Sequence, residues 1–145
     1  MADTSITSAN SIFTLSAPVA GIVGATLEGY STDRAFFTDA RQIAEVQMGV
    51  DGRMTAGYTP MPQTMSVTLQ ADSPSRSVFK AIEQTMKSTR EIVWLTAEIA
   101  LPGPGEKYAL VRGVLNTTKT APDAAKVLQP VEYQITWQSI EASLL

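Results

Sequence analysis

The apolar and polar positions of the chain follow a period of two far more often than a helical one. QTMSVTLQ (63–70) places Met65, Val67 and Leu69 on one side and Thr64, Ser66, Thr68 and Gln70 on the other. That alternation predicts a strand with one buried and one wet face. VEYQITWQSI (131–140) repeats it, with Tyr133, Ile135 and Trp137 against Glu132, Gln134, Thr136 and Gln138. SIFTLS (11–16), QIAEVQMGV (42–50), RMTAGY (53–58), EIVWLTAEIAL (91–101) and YALVRGVLNTT (108–118) also read as strands, and residues 119–130 as a loop closed by Pro130. One segment, about residues 74–89, has helical spacing. Asp72 or Ser73 can cap it, and Pro74 suits a first turn, where its missing N–H has no partner to lose. Val78, Phe79, Ile82 and Met86 fall on one face, and Arg76, Lys80, Glu83, Lys87 and Arg90 on the other. Many short strands and a single helix predict a mainly β fold: an antiparallel β-sandwich or barrel with one flanking helix, in a single domain over 1–145. No internal repeat or low-complexity linker divides it.

The turns between these elements are the first places to look for chemistry. Asp51-Gly52, inside QMGVDGRMTAGYTPMP (47–62), is a strong hairpin signal, because a type I′ turn needs two residues tolerant of positive φ. A calcium loop would need further acidic ligands at alternate positions, and Gly49, Val50 and Arg53 supply none. PGPGEK (102–107) lacks both the spacing of a phosphate-binding loop and a following helix, so it too reads as a hairpin turn. Glu98 has Thr96 and Ala100 as its neighbours along the strand, and no second acid. Trp94 and Trp137 read as core residues; a sugar-stacking platform is the other use for such rings, and nothing else supports it. The basic helix stripe is a solvated surface or a docking face for an acidic partner.

Composition narrows the function classes. The 145 residues contain no cysteine and no histidine. Thiolate and imidazole catalysis and thiolate- or imidazole-bound metals are therefore ruled out, and the expectation is a non-enzyme without metal or cofactor. A formal charge of −3 is a poor endowment for gripping phosphates. APVAGIVGATL (17–27) is apolar but lacks a positive region before it and is broken by Pro18, Gly21 and Gly24. It has the form of neither a membrane span nor a signal peptide, so the expectation is a product of the cytosol, where the Asn116-Thr117-Thr118 sequon meets no glycosylation machinery. Only 17% of residues are charged, against a usual share of about a quarter. The polar strand faces carry Thr, Ser and Gln, not the Lys and Glu that commonly keep sheets apart, which points to self-assembly.

QMGVDGRMTAGY, SVTLQADSPS, YALVRGVL and KVLQPVEYQITW, in this order and spacing, resemble segments of the tail tube (inner tube) proteins of contractile-tailed bacteriophages and prophages. The resemblance runs from about SANSIF (8–13) to the final strand. It implies a virion structural protein, made in the host bacterial cytoplasm. Such subunits form six-membered rings that stack into a hollow tube inside a sheath, with one sheet lining the channel and the helix toward the outside. The implied partners are further copies of the chain, the sheath protein, a tape-measure protein in the lumen during assembly, and baseplate and tail-terminator proteins. DNA passes through without sequence-specific binding, and no membrane is involved. On this reading Met48, Asp51, Gly52, Arg53 and Met54 form a hairpin touching the adjacent ring, and Arg76, Lys80, Glu83 and Lys87 face the sheath. Residues 1–10 are an arm over a neighbour or a flexible lead. The inner tube of a phage-tail-like bacteriocin, of a secretion system or of a non-contractile tail fits the same residues. A monomeric β-sandwich binding sugars or peptides is the reading from another class.

Overall fold

The computed structural model describes residues 11–27, 36–118, 121–122 and 124–144; the expected N-terminal arm, residues 1–10, lies outside them. Alternating sequence becomes strand almost wherever it occurs. The elements are β1 (Ile12–Ala17), β2 (Ile22–Thr26), β3 (Phe36–Thr38), β4 (Ala44–Met48), β5 (Met54–Tyr58), β6 (Gln63–Leu69), α1 (Arg76–Thr89), β7 (Leu95–Leu101), β8 (Glu106–Thr117) and β9 (Val131–Leu144). Seven strands make one sheet in the order β2-β1-β7-β8-β9-β6-β3, with every pair antiparallel. β4 and β5 form a separate two-stranded ribbon.

The sheet has one strongly apolar face, and twist lets it curl around that face. Phe13 of β1 and Phe36 of β3 lie near opposite edges of the sheet, yet their rings meet edge to face at 5.7 Å. Inside are Leu15, Met65, Val67, Leu69, Leu95, Ile99, Leu110, Ile135 and Trp137, all essentially inaccessible. The helix closes one end of this core. Its Phe79 and Ile82 are fully buried, and the Phe79 ring stacks on Tyr133 at 4.2 Å with the planes 10° apart. At the other end of β9, around Ile140 and Ala142, no helix intervenes and a cavity of about 390 Å³ opens among side chains.

Several local expectations change. Ser66, expected on a wet face, is only 4% exposed, because Phe37 of β3 pairs opposite it and shares its side of the sheet. Trp94, expected in the core, is 46% exposed: Val93 and Leu95 take the inward positions and alternation turns the indole out. The helix starts at Arg76 rather than 74, and Ser75 at its cap makes no capping bond; Ser73 Oγ instead accepts from the Ser75 N–H at 3.3 Å. β2 and β3 were not expected. In 17–27 the glycines conceal a hairpin: Gly21, at φ 76°, ends a short 3-10 turn at Pro18–Ala20, and the Gly24 N–H bonds to Ser16 Oγ at 2.9 Å. The PGPG turn forms as read, with Gly105 at φ 76° donating to the Leu101 carbonyl at 2.9 Å.

The middle of β8 fixes how the sheet bends. Leu95 pairs with Gly113 but Ala97 with Leu110, so β8 carries one extra residue there. Arg112 sits in this bulge at φ 49°, a left-handed conformation uncommon outside glycine, and its guanidinium lies 4.1 Å over the Trp94 ring. The next residue, Gly113, faces Trp137 across the β8–β9 pair, and a Cβ there would fall 2.4 Å from the indole. The absent side chain is what lets Trp137 lie flat against the strand. Gly113→Ala is expected to lower unfolding stability by about 1–3 kcal/mol, the usual cost of overpacking. Urea denaturation followed by tryptophan fluorescence measures it; an unchanged midpoint would show that the sheet yields at this point.

Candidate assembly interface

The β4–β5 ribbon bonds to itself and leaves its side chains exposed. Its pairs are Ala44 with Tyr58, Glu45 with Gly57, Val46 with Ala56, Gln47 with Thr55 and Met48 with Met54. Residues directly opposite share a face. One face is therefore Ala44, Val46, Met48, Met54, Ala56 and Tyr58, and the other Glu45, Gln47, Thr55 and Gly57. The ribbon is amphipathic, and its apolar side is open: Val46, Met48, Met54 and Tyr58 are each more than half exposed. A lone two-stranded hairpin is marginally stable in water, and contiguous exposed apolar surface marks an interaction site. At its base the Thr59 N–H bonds to the Ile43 carbonyl at 2.9 Å, extending the ribbon by one pair, and where the chain leaves the body the Asp39 N–H bonds to the Thr64 carbonyl at 3.1 Å.

The tip differs from the expected type I′ turn. Only Gly52 has positive φ, at 85°, while Asp51 does not. The Gly52 N–H reaches the Gly49 carbonyl at 3.0 Å and the Gly49 N–H reaches the Arg53 carbonyl at 2.8 Å. This is a three-residue loop, Val50-Asp51-Gly52, with the glycine as the left-handed bulge residue. Asp51 serves the turn itself, its Oδ1 accepting from the Arg53 N–H at 3.1 Å. Met48, Asp51, Gly52, Arg53 and Met54 are thus gathered at one exposed tip. Val50, fully exposed between them, and Val46 and Tyr58 on the same apolar face were missed. The signal for the last two was present, as the alternation through 44–48 and 54–58.

The helix stripe divides. Lys80 and Lys87 are exposed and Glu83 is half-buried. Arg76 departs from the stripe: it is partly buried, and its Nη1 donates to the Ala71 carbonyl. Burial of the Tyr133 phenol raises its pKa, and this outweighs the opposing effect of the nearby Arg76 cation. On the outer face of the sheet Glu98 pairs with Lys107 at 3.2 Å, a solvated contact worth little. The Tyr108 hydroxyl donates to the Glu106 carboxylate, which raises the tyrosine pKa. Among the described residues no three Asp or Glu side chains cluster to hold a metal, and no helix is long and apolar enough to cross a membrane. The exposed apolar tip therefore carries more information than any titratable group.

A protein-family model described as tail fiber protein gp32 matches residues 4–141. The chain belongs to the tail fiber protein gp32 family. No curated protein matches it in sequence. Among solved structures this gp32-family chain is similar to a subunit of the anti-feeding prophage cap, the tube terminating cap, with TM-score 0.59 and 9% identity over 100% of this chain and 95% of that one. It is also similar to a chain in the PVC sheath/tube terminator of an extracellular contractile injection system in the extended state, with TM-score 0.60 and 7% identity over 92% and 93%. A third likeness is to a chain of the PVC sheath-tube complex, with TM-score 0.55 and 6% identity over 94% and 89%. At such identities the likeness is one of fold.

Because the ribbon bonds only to itself, damage at its tip should stay local. Gly52→Val is expected to cost about 1–2 kcal/mol in the left-handed conformation. Amide exchange over 54–58 should quicken about tenfold while the global urea midpoint holds. A midpoint that falls with it would show that the ribbon is coupled to the core.

Proposed function

We propose that this gp32-family chain is an inner-tube subunit of a phage-tail-like particle. Six copies form a ring, rings stack into a hollow tube, and the tube conducts DNA without sequence-specific contacts inside a contractile sheath. The observation that carries this reading is the uncovered apolar face of the β4–β5 ribbon, a surface that a protein working alone would not keep in water. The edges of the sheet support it. β2 and β3, its outer strands among the described residues, carry no charged side chain to prevent strand pairing with a neighbour. A net charge of −3 and outer strand positions rich in Thr, Ser and Gln suit a channel that must not retain phosphates. The similar structures, which include a sheath-tube complex, are consistent with this place in a tail. Partners would be further copies, the sheath, a tape-measure protein during assembly, and baseplate and terminator proteins, in a virion or a related injection particle.

A second reading is a tube-ending subunit, favoured by the likeness to a tube terminating cap and to a sheath/tube terminator. The two readings separate in one experiment. Negative-stain microscopy of the purified chain at high concentration should show hollow tubes with sixfold end views. Single rings that do not stack would favour the cap, solid rods the fibre of the family's name, and monodisperse particles near 15.5 kDa, even with a baseplate initiator added, would overturn an assembly role. Met48→Asp with Met54→Asp is expected to abolish stacking while leaving the circular dichroism spectrum unchanged.

The exposed pair Lys80 and Lys87 is proposed as the sheath-facing part of the helix. Changing both to Glu should leave tubes intact and weaken co-sedimentation with the cognate sheath protein at least tenfold. Undiminished co-sedimentation would remove the helix from that interface.

A further inference from the structure

Two unfilled features of the molecule match each other. The first is the ribbon tip, where Met48, Val50 and Met54 stand in water. The second is the cavity of about 390 Å³ at the end of the sheet opposite the helix. Its floor is Met65 and Ile99, both almost wholly buried, and its walls include Leu101, Tyr108, Ile140 and Phe36. Thr38, Gln63 and Ala142 form a small, uncharged rim. We propose that the tip of one copy's β4–β5 ribbon seats in this cavity of a second copy, so that each subunit both gives a tip and receives one.

The occupant follows from three observations. A copy does not fill its own cavity: the ribbon leaves the body beside Thr38 and Gln63, and from Thr59 to Asp51 is eight residues, about 25 Å of strand, ending in side chains fully open to solvent. The chemistry fits, since methionine is unbranched and adapts to irregular apolar space, and Val50 projects between two of them. Charges also complement. Arg53 is the cation of the tip, while Glu106, whose carboxylate accepts from the hydroxyl of the lining Tyr108, stands beside the cavity, and the nearby Lys107 is already paired with Glu98. A contact between different patches of identical chains is heterologous. It propagates from copy to copy and does not stop at a dimer. The inference deepens the tube reading and rests on it.

The chain has no cysteine, so introduced ones report only on each other. Val50→Cys and Ala142→Cys variants would be mixed under assembly conditions and oxidised gently, with a Val50→Cys and Lys80→Cys mixture as the control at the helix end. Disulfide-linked peptides would then be mapped by mass spectrometry. The expected result is a 50–142 link between copies at least tenfold more abundant than the 50–80 link, and lost when Ile140→Asp is added to the Ala142→Cys chain. Assemblies that form with only 50–50 links, or with 50–80 links as abundant as 50–142, would overturn this docking while leaving the tube reading standing. No assemblies from the parent chain, together with no 50–142 link in the mixed cysteine variants, would overturn both.

Discussion

A seven-stranded sheet with one apolar face cannot rest flat in water, and the burial of that face governs the rest of the structure. Among the described residues the other sheet is the exposed β4–β5 ribbon, and no second layer of strands covers this face. The seven-stranded sheet curls until Phe13 and Phe36 touch, and α1 covers the end that curling leaves open. Two small irregularities make the curvature possible. The extra residue in β8 increases the local twist, and the bare Cα of Gly113 lets Trp137 fill the space beneath it. Arg112 holds a strained conformation at this point, and its stacking on Trp94 helps to keep it there.

What curling does not bury stays open to solvent. The core takes the apolar sides of β1, β6, β7, β8 and β9, but β4 and β5 are not in the sheet, and their apolar side has nothing among the described residues to meet. The same geometry explains the cavity. One helix of fourteen residues covers one end of the curled sheet, and the end marked by Ile140 and Ala142 stays open. An amphipathic ribbon and an open apolar pocket therefore have one origin. The described residues supply one α-helix, and the fold buries one face of one sheet.

This also explains why the absence of histidine and cysteine is compatible with a demanding role. Assembly needs shape, apolar area and unblocked edges, all of which Met, Val, Thr and Gln supply. The titratable groups that are perturbed, Tyr108 and Tyr133, are held by local neighbours, Glu106 and Arg76, and neither lies at the ribbon tip.

Strand identity, the helix and the mainly β class were legible in the sequence because they are local: a period of two in 63–70 and 131–140, and a period near 3.6 after Pro74, state directly which positions share a face. The hairpin at Asp51-Gly52 was legible for the same reason, and so was the composition of its tip. Strand order was not. Whether Ser66 is wet depends on Phe37, a residue twenty-nine positions earlier that pairs across from it. Whether Trp94 is core depends on which neighbours alternation turns inward, and whether Arg76 points out depends on Ala71 and Tyr133. The turn at Gly49–Gly52 took a bulged form because the register of Met48 against Met54, continued by Gly49 against Arg53, leaves three residues to close it. The sequence by itself determined the elements other than β2 and β3, and the surplus of uncharged polar faces, which are set by side-chain chemistry along a few residues. The tertiary structure alone decided which apolar face found a partner among the described residues and which stayed exposed, because that depends on long-range pairing and on how far a single sheet can curl.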